Sequence, residues 1–195
     1  MLQNVKGVKF IMPPKSKCTR EQIIETAFRT VRKEGLSSLK ARRLAEELGT
    51  STAPIFTAFK SIEEIRDEVV KKANALYGEY IKEGLKQTPA FKGAGMKYIE
   101  FAKDEPELFK ILNINKNFID NFLPAYDDNS PEVMKVLENK YGMSNETAKK
   151  LYNHMSVYAF GFASLYAQRM YLFTMEDISR MMSEVYKALE EKFGE

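Results

Sequence analysis

The residue types best suited to recognition chemistry fall between Leu39 and Lys60. Arg42 carries a planar fork of N–H donors that fits either a phosphate or the O6/N7 edge of guanine. Thr52 and Thr57 are short and polar, and Ala53 and Ala58 are small enough to leave room for a thymine methyl. Lys40, Arg43 and Lys60 flank them as cations able to reach phosphates. The chemistry indicated is non-covalent reading of a polyanion. A solvated basic helical hairpin is the alternative reading of the same spacing. Covalent chemistry has little to work with. A single His and a single Cys leave nucleophilic catalysis resting on His154 alone and exclude a disulfide framework or a multi-His or Cys-rich metal site. There is no Gly-rich phosphate loop, and Asp104, Glu105 and Glu107 read as a solvated acidic turn. His154, flanked by apolar residues, reads as structural, and Cys18 as an incidental thiol without a resolving partner. The expectation is a non-enzyme with no cofactor.

Charge supports that placement. Of 195 residues, 30 are Lys or Arg and 27 Asp or Glu, a net charge of +3. Residues 1–60 hold 12 of the cations against 5 acids, and residues 61–195 hold 18 against 22. A basic first third on an acidic remainder suits a polyanion that meets only the first third. With 44% hydrophobic and 12% aromatic residues, the chain has the composition of a folded protein.

The elements that position these residues read as helices nearly throughout, about nine of them, with no strand-like alternation. Thr19 and Gln22 form a capping box for a first helix with Ile23, Ile24, Ala27, Phe28 and Val31 inward, ended by Gly35. A second helix is expected at about 40–48 and a third at about 52–59, joined by Gly49-Thr50-Ser51. Ala45 is small where the two helices would cross, Gly49 accepts positive φ, and Leu44, Leu48, Ile55 and Phe59 are spaced to bury under the first helix. Ser61 and Glu64 start a long fourth helix to about 86, and helices follow at about 90–104, 106–113 and 131–141. Ser144 caps a helix to about 173 and Thr174 a last one to about 193. The expected division is a flexible basic arm over 1–18, a three-helix DNA-binding domain over 19–61 and an effector-binding and dimerisation domain over 62–195. Lys6 and Lys9 interrupt any signal-peptide core, and Met12 is an alternative start.

The stretch 151–173 is apolar at 16 of 23 positions and on both sides of a helix. Its first eighteen residues lack charge but carry Asn153, His154, Ser156, Ser164 and Gln168, so a buried bundle helix is preferred to a membrane span. One apolar side can pack within the subunit; the other calls for a symmetric copy. The expected partner is a second chain, through 146–173 and 175–193, with a large monomeric core as the alternative. The aromatic cluster Phe101, Phe109, Leu112, Phe118, Phe122 and Tyr126 surrounds breaks at Pro106 and Pro124, and Met155, Tyr158, Phe162 and Tyr166 could face it. These ten residues either line a cavity for an apolar or flat ligand or simply pack as core.

Thr19–Gln22, Gly35, the run LKARRLAEELGTSTAPIFTAFKSIEEI over 39–65 and FAKDEPELFKIL over 101–112 resemble the TetR/AcrR family of bacterial transcription regulators. The close match covers about 19–65; the remainder agrees in length and helix number. The resemblance implies a cytoplasmic homodimer on an inverted-repeat operator of double-stranded DNA, acting as a repressor and released by a small-molecule effector. It implies that Arg42, Thr52, Pro54 and Thr57 face bases and that Lys40, Ala41, Phe56 and Lys60 lie along phosphates. Members often carry Gly, Tyr, His and Lys at the positions of Ala53, Phe56, Ala58 and Ile62. Phe56 lacks a hydroxyl and Ile62 a charge, which removes two backbone contacts. The competing function is an effector-independent DNA-binding protein of chromosome organisation, which would have a filled core.

Overall fold

The computed structural model describes residues 18–114 and 130–193, and every regular element among them is helical. The helices are α1 (Arg20–Glu34), α2 (Ala41–Glu47), α3 (Ala53–Ala58), α4 (Ile62–Leu85), α5 (Ala90–Asp104), α6 (Pro106–Phe109), α7 (Ser130–Tyr141), α8 (Asn145–Ala167) and α9 (Met175–Phe193). A single 3-10 turn, Leu36–Ser38, follows α1, and a π-helical turn, Lys110–Ile114, follows α6. The architecture is all-α: a 15-residue helix and two short ones at the N-terminus on a larger helical body. No helix among the described residues is long and apolar enough to cross a membrane.

The starts of the helices follow their capping residues. Thr19 and Gln22 exchange both bonds of a capping box at α1, and Ser61 and Ser144 accept from the third backbone amide of α4 and α8. At α9, Thr174 Oγ1 accepts from the Asp177 amide, while the Asp177 carboxylate accepts from Thr174. The end of α2 is a Schellman closure. The Gly49 N–H donates to Glu46 O, the Thr50 N–H to Ala45 O, and Gly49 takes φ 63°.

The helix after Ser144 is shorter than its apolar run suggested. It stops at Ala167, where the Met170 N–H turns back to Leu165 O and Arg169 takes φ 60°. Residues 168–173 are therefore a loop, not a helical continuation, and Met170, Tyr171, Leu172 and Phe173 stand exposed on it.

The core is continuous from Ile23 in α1 to Met182 in α9, and α4 is its spine. At 24 residues, α4 is about 36 Å long. Ile65, Val69 and Ala73 in its first half are fully buried, and Tyr77, Gly78, Ile81 and Gly84 are buried in its second half. Arg20 fastens α1 to the start of this spine. It donates to Ala58 O, pairs with Glu64 and Glu68 at 3.0 and 3.3 Å, and lies 3.9 Å over the Phe59 ring. Lys72, 2.5 Å from Glu25, ties the same two helices one turn further on.

A second tether joins the N-terminal helices to the body. Glu105, at the α5–α6 junction, is 5% exposed and forms a two-pronged pair with Arg32 of α1. A Cβ on Gly35 would lie 2.7 Å from Glu107 Oε2. The acidic turn at 104–107 is thus not simply solvated. Only Asp104 remains exposed, accepting from Tyr80 Oη, because α6 folds back on α1 and brings Glu105 under Arg32.

At its far end α4 meets α5 backbone to backbone. A Cβ on Gly93 would be 2.2 Å from Gly84 O, and one on Gly84 would be 2.5 Å from Gly93 O. Neither neighbour is a side chain that can rotate away. Gly93→Ala is expected to destabilise the fold by about 1–3 kcal/mol or more, read as a lower urea midpoint.

Candidate nucleic-acid interface and effector cavity

The outer face of the N-terminal helices is built by burying everything else. Leu44, Ala45, Ile55 and Phe59 are turned inward on Ile23, Ala27 and Val31 of α1, with Leu48 partly buried against them. What α3 leaves outside is Ala53, Phe56 and Thr57, with Thr52 and Pro54 half-buried at its start. Lys40, Arg42 and Lys60 are exposed beside them, and Ala41 is half-buried at the first turn of α2. The eight residues singled out for DNA contact are therefore all at or near the surface of α2, α3 and their flanks, and none belongs to the core.

Two details change the chemistry they offer. Thr57 Oγ1 donates to Ala53 O at 2.9 Å, so outward it presents a methyl and an accepting oxygen. Arg43, grouped with the phosphate cations by sequence, is held at 2.8 Å by Glu34 and 3.0 Å by Glu47. Arg42 enters no such pair with the described residues. The two adjacent arginines thus divide the work, one bracing α2 and one pointing away. Phe56 is half exposed, a large apolar side chain on the outer face.

Carboxylates lock the frame behind this face. Glu64 accepts from the Lys60 amide at 2.8 Å and from Arg20, and these bonds, the backbone one first, hold its carboxyl below the usual range. At Glu47, burial works to raise the pKa, but hydrogen bonds from Arg43 and Thr30 and the Arg43 charge outweigh it, and the net shift is downward.

The body contains a partly open cavity, away from the aromatic cluster picked out in the sequence. A cavity of about 280 Å³ lies between α4, α5, α7, α8 and α9. Tyr77 and Ile81 of α4 line it, as do Phe91, Ala94, Gly95 and Tyr98 of α5 and Val133 and Tyr141 of α7. Tyr152, Met155 and Ala159 of α8 and Met182 and Tyr186 of α9 complete most of the wall.

Of the seven described residues among the ten named from sequence, only Met155 is on this wall. Phe101 and Phe109 are wholly buried and Leu112 nearly so, consumed by packing. Phe101 stacks against Tyr77 and Tyr80, and Phe109 against Tyr98 and Phe160. The break at Pro106 opens no space because α6 and the π-helical turn continue directly and pack on α1 and α4. Tyr166 is buried with its hydroxyl on Phe173 O at 2.8 Å. Phe118, Phe122 and Tyr126 lie outside the described residues.

Tyr158 and Phe162 belong to a different feature, a shallow apolar groove between the outer faces of α8 and α9. Val157, Gly161 and Leu165 share one side of it, and Met181, Val185 and Leu189 the other. Val157 is 56% exposed. Phe173 packs edge-on against Phe162, which joins the exposed 170–173 loop to the groove. His154 is exposed at the groove with its ring 5.4 Å from that of Phe193, not enclosed in a core.

The missed cavity residues had a sequence signal. Phe91, Ala94, Gly95 and Tyr98 share one face of α5, and small residues between aromatics leave volume that neighbours must fill or forgo.

Because Glu47 and Glu64 have carboxyls lowered in the fold, their contribution is complete above the ordinary glutamate value of about 4.3 and is lost as pH falls through the lowered values. Thermal midpoints are expected to fall below about pH 4.5, and less steeply in Glu64→Gln, which removes one of the carboxylates held low in the fold.

Residues 23–69 match the family model for bacterial regulatory proteins, tetR family, a span that runs from the fourth residue of α1 through α2 and α3 into α4. No curated protein matches the chain.

Proposed function

We propose that this chain, whose N-terminal domain belongs to the tetR family of bacterial regulatory proteins, is a cytoplasmic homodimeric repressor released from an inverted-repeat operator by a small apolar or aromatic effector. The family domain makes it a DNA-binding transcription regulator. The repressor role, the dimer and the effector are inferred from the remaining residues.

The observation that carries the reading is the double use of α4. Its first half is packed under the DNA-binding helices by Ile65 and Val69, and its second half supplies Tyr77 and Ile81 to the cavity wall. A molecule in the cavity touches the same rigid element on which α1 and α3 rest. It changes operator affinity only if the two tilts of α4 differ in their affinity for it. The cavity itself favours an effector over the effector-independent reading, which requires a filled interior.

Arg42, Thr52, Pro54 and Thr57 are the proposed base-facing residues, with Lys40, Ala41, Phe56 and Lys60 along the backbone. The proposed division is the arm 1–18, the DNA-binding domain 19–61 and the effector and dimer domain 62–195. The dimer would form through 146–173 and 175–193, because the α8–α9 groove and the exposed 170–173 loop make one continuous apolar face. Two copies would set the recognition helices about 34 Å apart, one turn of B-DNA.

Selection of bound genomic fragments, followed by mobility shifts, tests the reading. Arg42→Ala is expected to weaken specific binding by about 1–3 kcal/mol with little change in thermal stability, because its exposed side chain forms no ion pair with the described residues. Equal binding by the variant would remove Arg42 from the interface. Val157→Glu places a charge in the groove and is expected to convert a sedimenting dimer to monomer; a dimer that survives it uses another face.

A further inference from the structure

The cavity wall is almost wholly uncharged, and the exceptions are gathered at one end. Lys92 lies in the first turn of α5 beside Phe91, and the Phe91 ring is 6.0 Å from that of Tyr186 on α9. Lys187 and Glu190 adjoin Tyr186 on the same stretch of α9. One end of the cavity therefore carries two ammonium groups and one carboxylate. Glu190 accepts from Tyr186 Oη at 2.9 Å and keeps its charge, so two lysines against one carboxylate leave this end net positive. Neither Lys92 nor Lys187 is paired with a carboxylate among the described residues.

Away from this end the wall is Ile81, Ala94, Met155, Ala159 and Met182, with aromatic rings between. No ammonium, guanidinium or carboxylate from the described residues lines that part. A ligand with its charge at one tip and an apolar body fits both halves of the wall. A ligand with charges at both ends would bury one of them unpaired. At about 280 Å³ the space is at the small end of ligand pockets, which run from about 300 to 1,000 Å³.

We infer that the effector is a medium-sized amphipathic monocarboxylic acid, its apolar body against Ile81, Met155, Ala159 and Met182 and its acid group at the Lys92 and Lys187 end. The inference rests on the cavity being the effector site. It adds the sign and position of the effector's charge. It also places the uncharged tip against α4 and the anchoring charge on α5 and α9, so binding fixes the ligand to the body while its tip presses on the spine.

Calorimetric titration of the full-length protein with decanoate, decan-1-ol and decyltrimethylammonium, each below its micellar concentration, tests the charge. Decanoate is expected to bind at least tenfold more tightly than either of the others. Lys92→Met combined with Lys187→Met is expected to remove that advantage and leave decanol binding unchanged. Both lysines are at the rim, and an unchanged melting curve establishes that the variant is folded. Equal affinity for decanoate and decanol, preference for the quaternary ammonium, or full decanoate affinity in the double variant would overturn the inference while leaving the cavity as the effector site. Ala159→Phe, which fills the apolar part, is expected to abolish binding of decanoate. Undiminished decanoate binding there, or no binding of any of the three probes to the unmodified chain, would overturn the inference together with the assignment of the cavity.

Discussion

The structure depends on one constraint: α4 is buried at both ends by different parts of the molecule and is unbroken between them. Ile65, Val69 and Ala73 hold its first half under α1, and Gly84 holds its last turn against Gly93 at backbone contact. An α-helix with all its i to i−4 bonds intact resists bending far more than it resists tilting as a whole. Under the proposed function, displacement at Tyr77 or Ile81 would reach the DNA-binding helices as a rotation of α4. The Gly84–Gly93 contact lies beyond the cavity residues of α4, where it can serve as the pivot.

The N-terminal helices could not follow α4 if they were loosely attached to it. Arg20 makes the attachment stiff, because one guanidinium is shared among the Ala58 carbonyl, two glutamates of α4 and the face of Phe59. Each exposed ion pair alone is worth little. Shared on one already ordered side chain, the second and third interactions cost less conformational entropy than separate pairs would. The same clamp joins the end of α3 to α4 through Ala58 O, so the helix proposed to face bases is held by the element proposed to move.

The fold was legible in the sequence where local chemistry decides it. The capping pairs at Thr19, Ser61, Ser144 and Thr174 fall one residue before their helices, and Gly35, Gly49 and Gly142 mark turns at positive φ. It was less legible where tertiary packing decides. The apolar run beyond Ala167 reads as helix by composition, yet the chain turns there and leaves Met170 to Phe173 on a loop. Side chains destined for a partner face and side chains destined for a core have the same hydropathy. The cavity was misplaced for a related reason. Aromatics near a proline break look like a pocket, but Phe101 and Phe109 fill their own surroundings, and the space arises at Ala94, Gly95 and Ala159, where side chains are small. The outer face of α3 was legible because burying Ile55 and Phe59 leaves only one side for Thr57 and Phe56.

The second tether restricts which motions α4 can make. Arg32 joins α1 to Glu105, at the junction of α5 and α6, and the Glu107 side chain lies against Gly35. Glu105 is almost fully enclosed, so separating it from Arg32 without water entering leaves a carboxylate unpaired, which is far costlier than losing an exposed bridge. The N-terminal helices are thus fixed to the body at two places, α4 and the α5–α6 junction. A rigid unit with two attachments swings about the line joining them and resists other rotations. Under the proposed function, a motion of α4 that preserves the Arg32–Glu105 pair would cost least and would carry α3 with it. In a dimer whose half-sites are one DNA turn apart, sideways displacement of each α3 changes the spacing between recognition helices, the quantity to which a fixed operator is most sensitive.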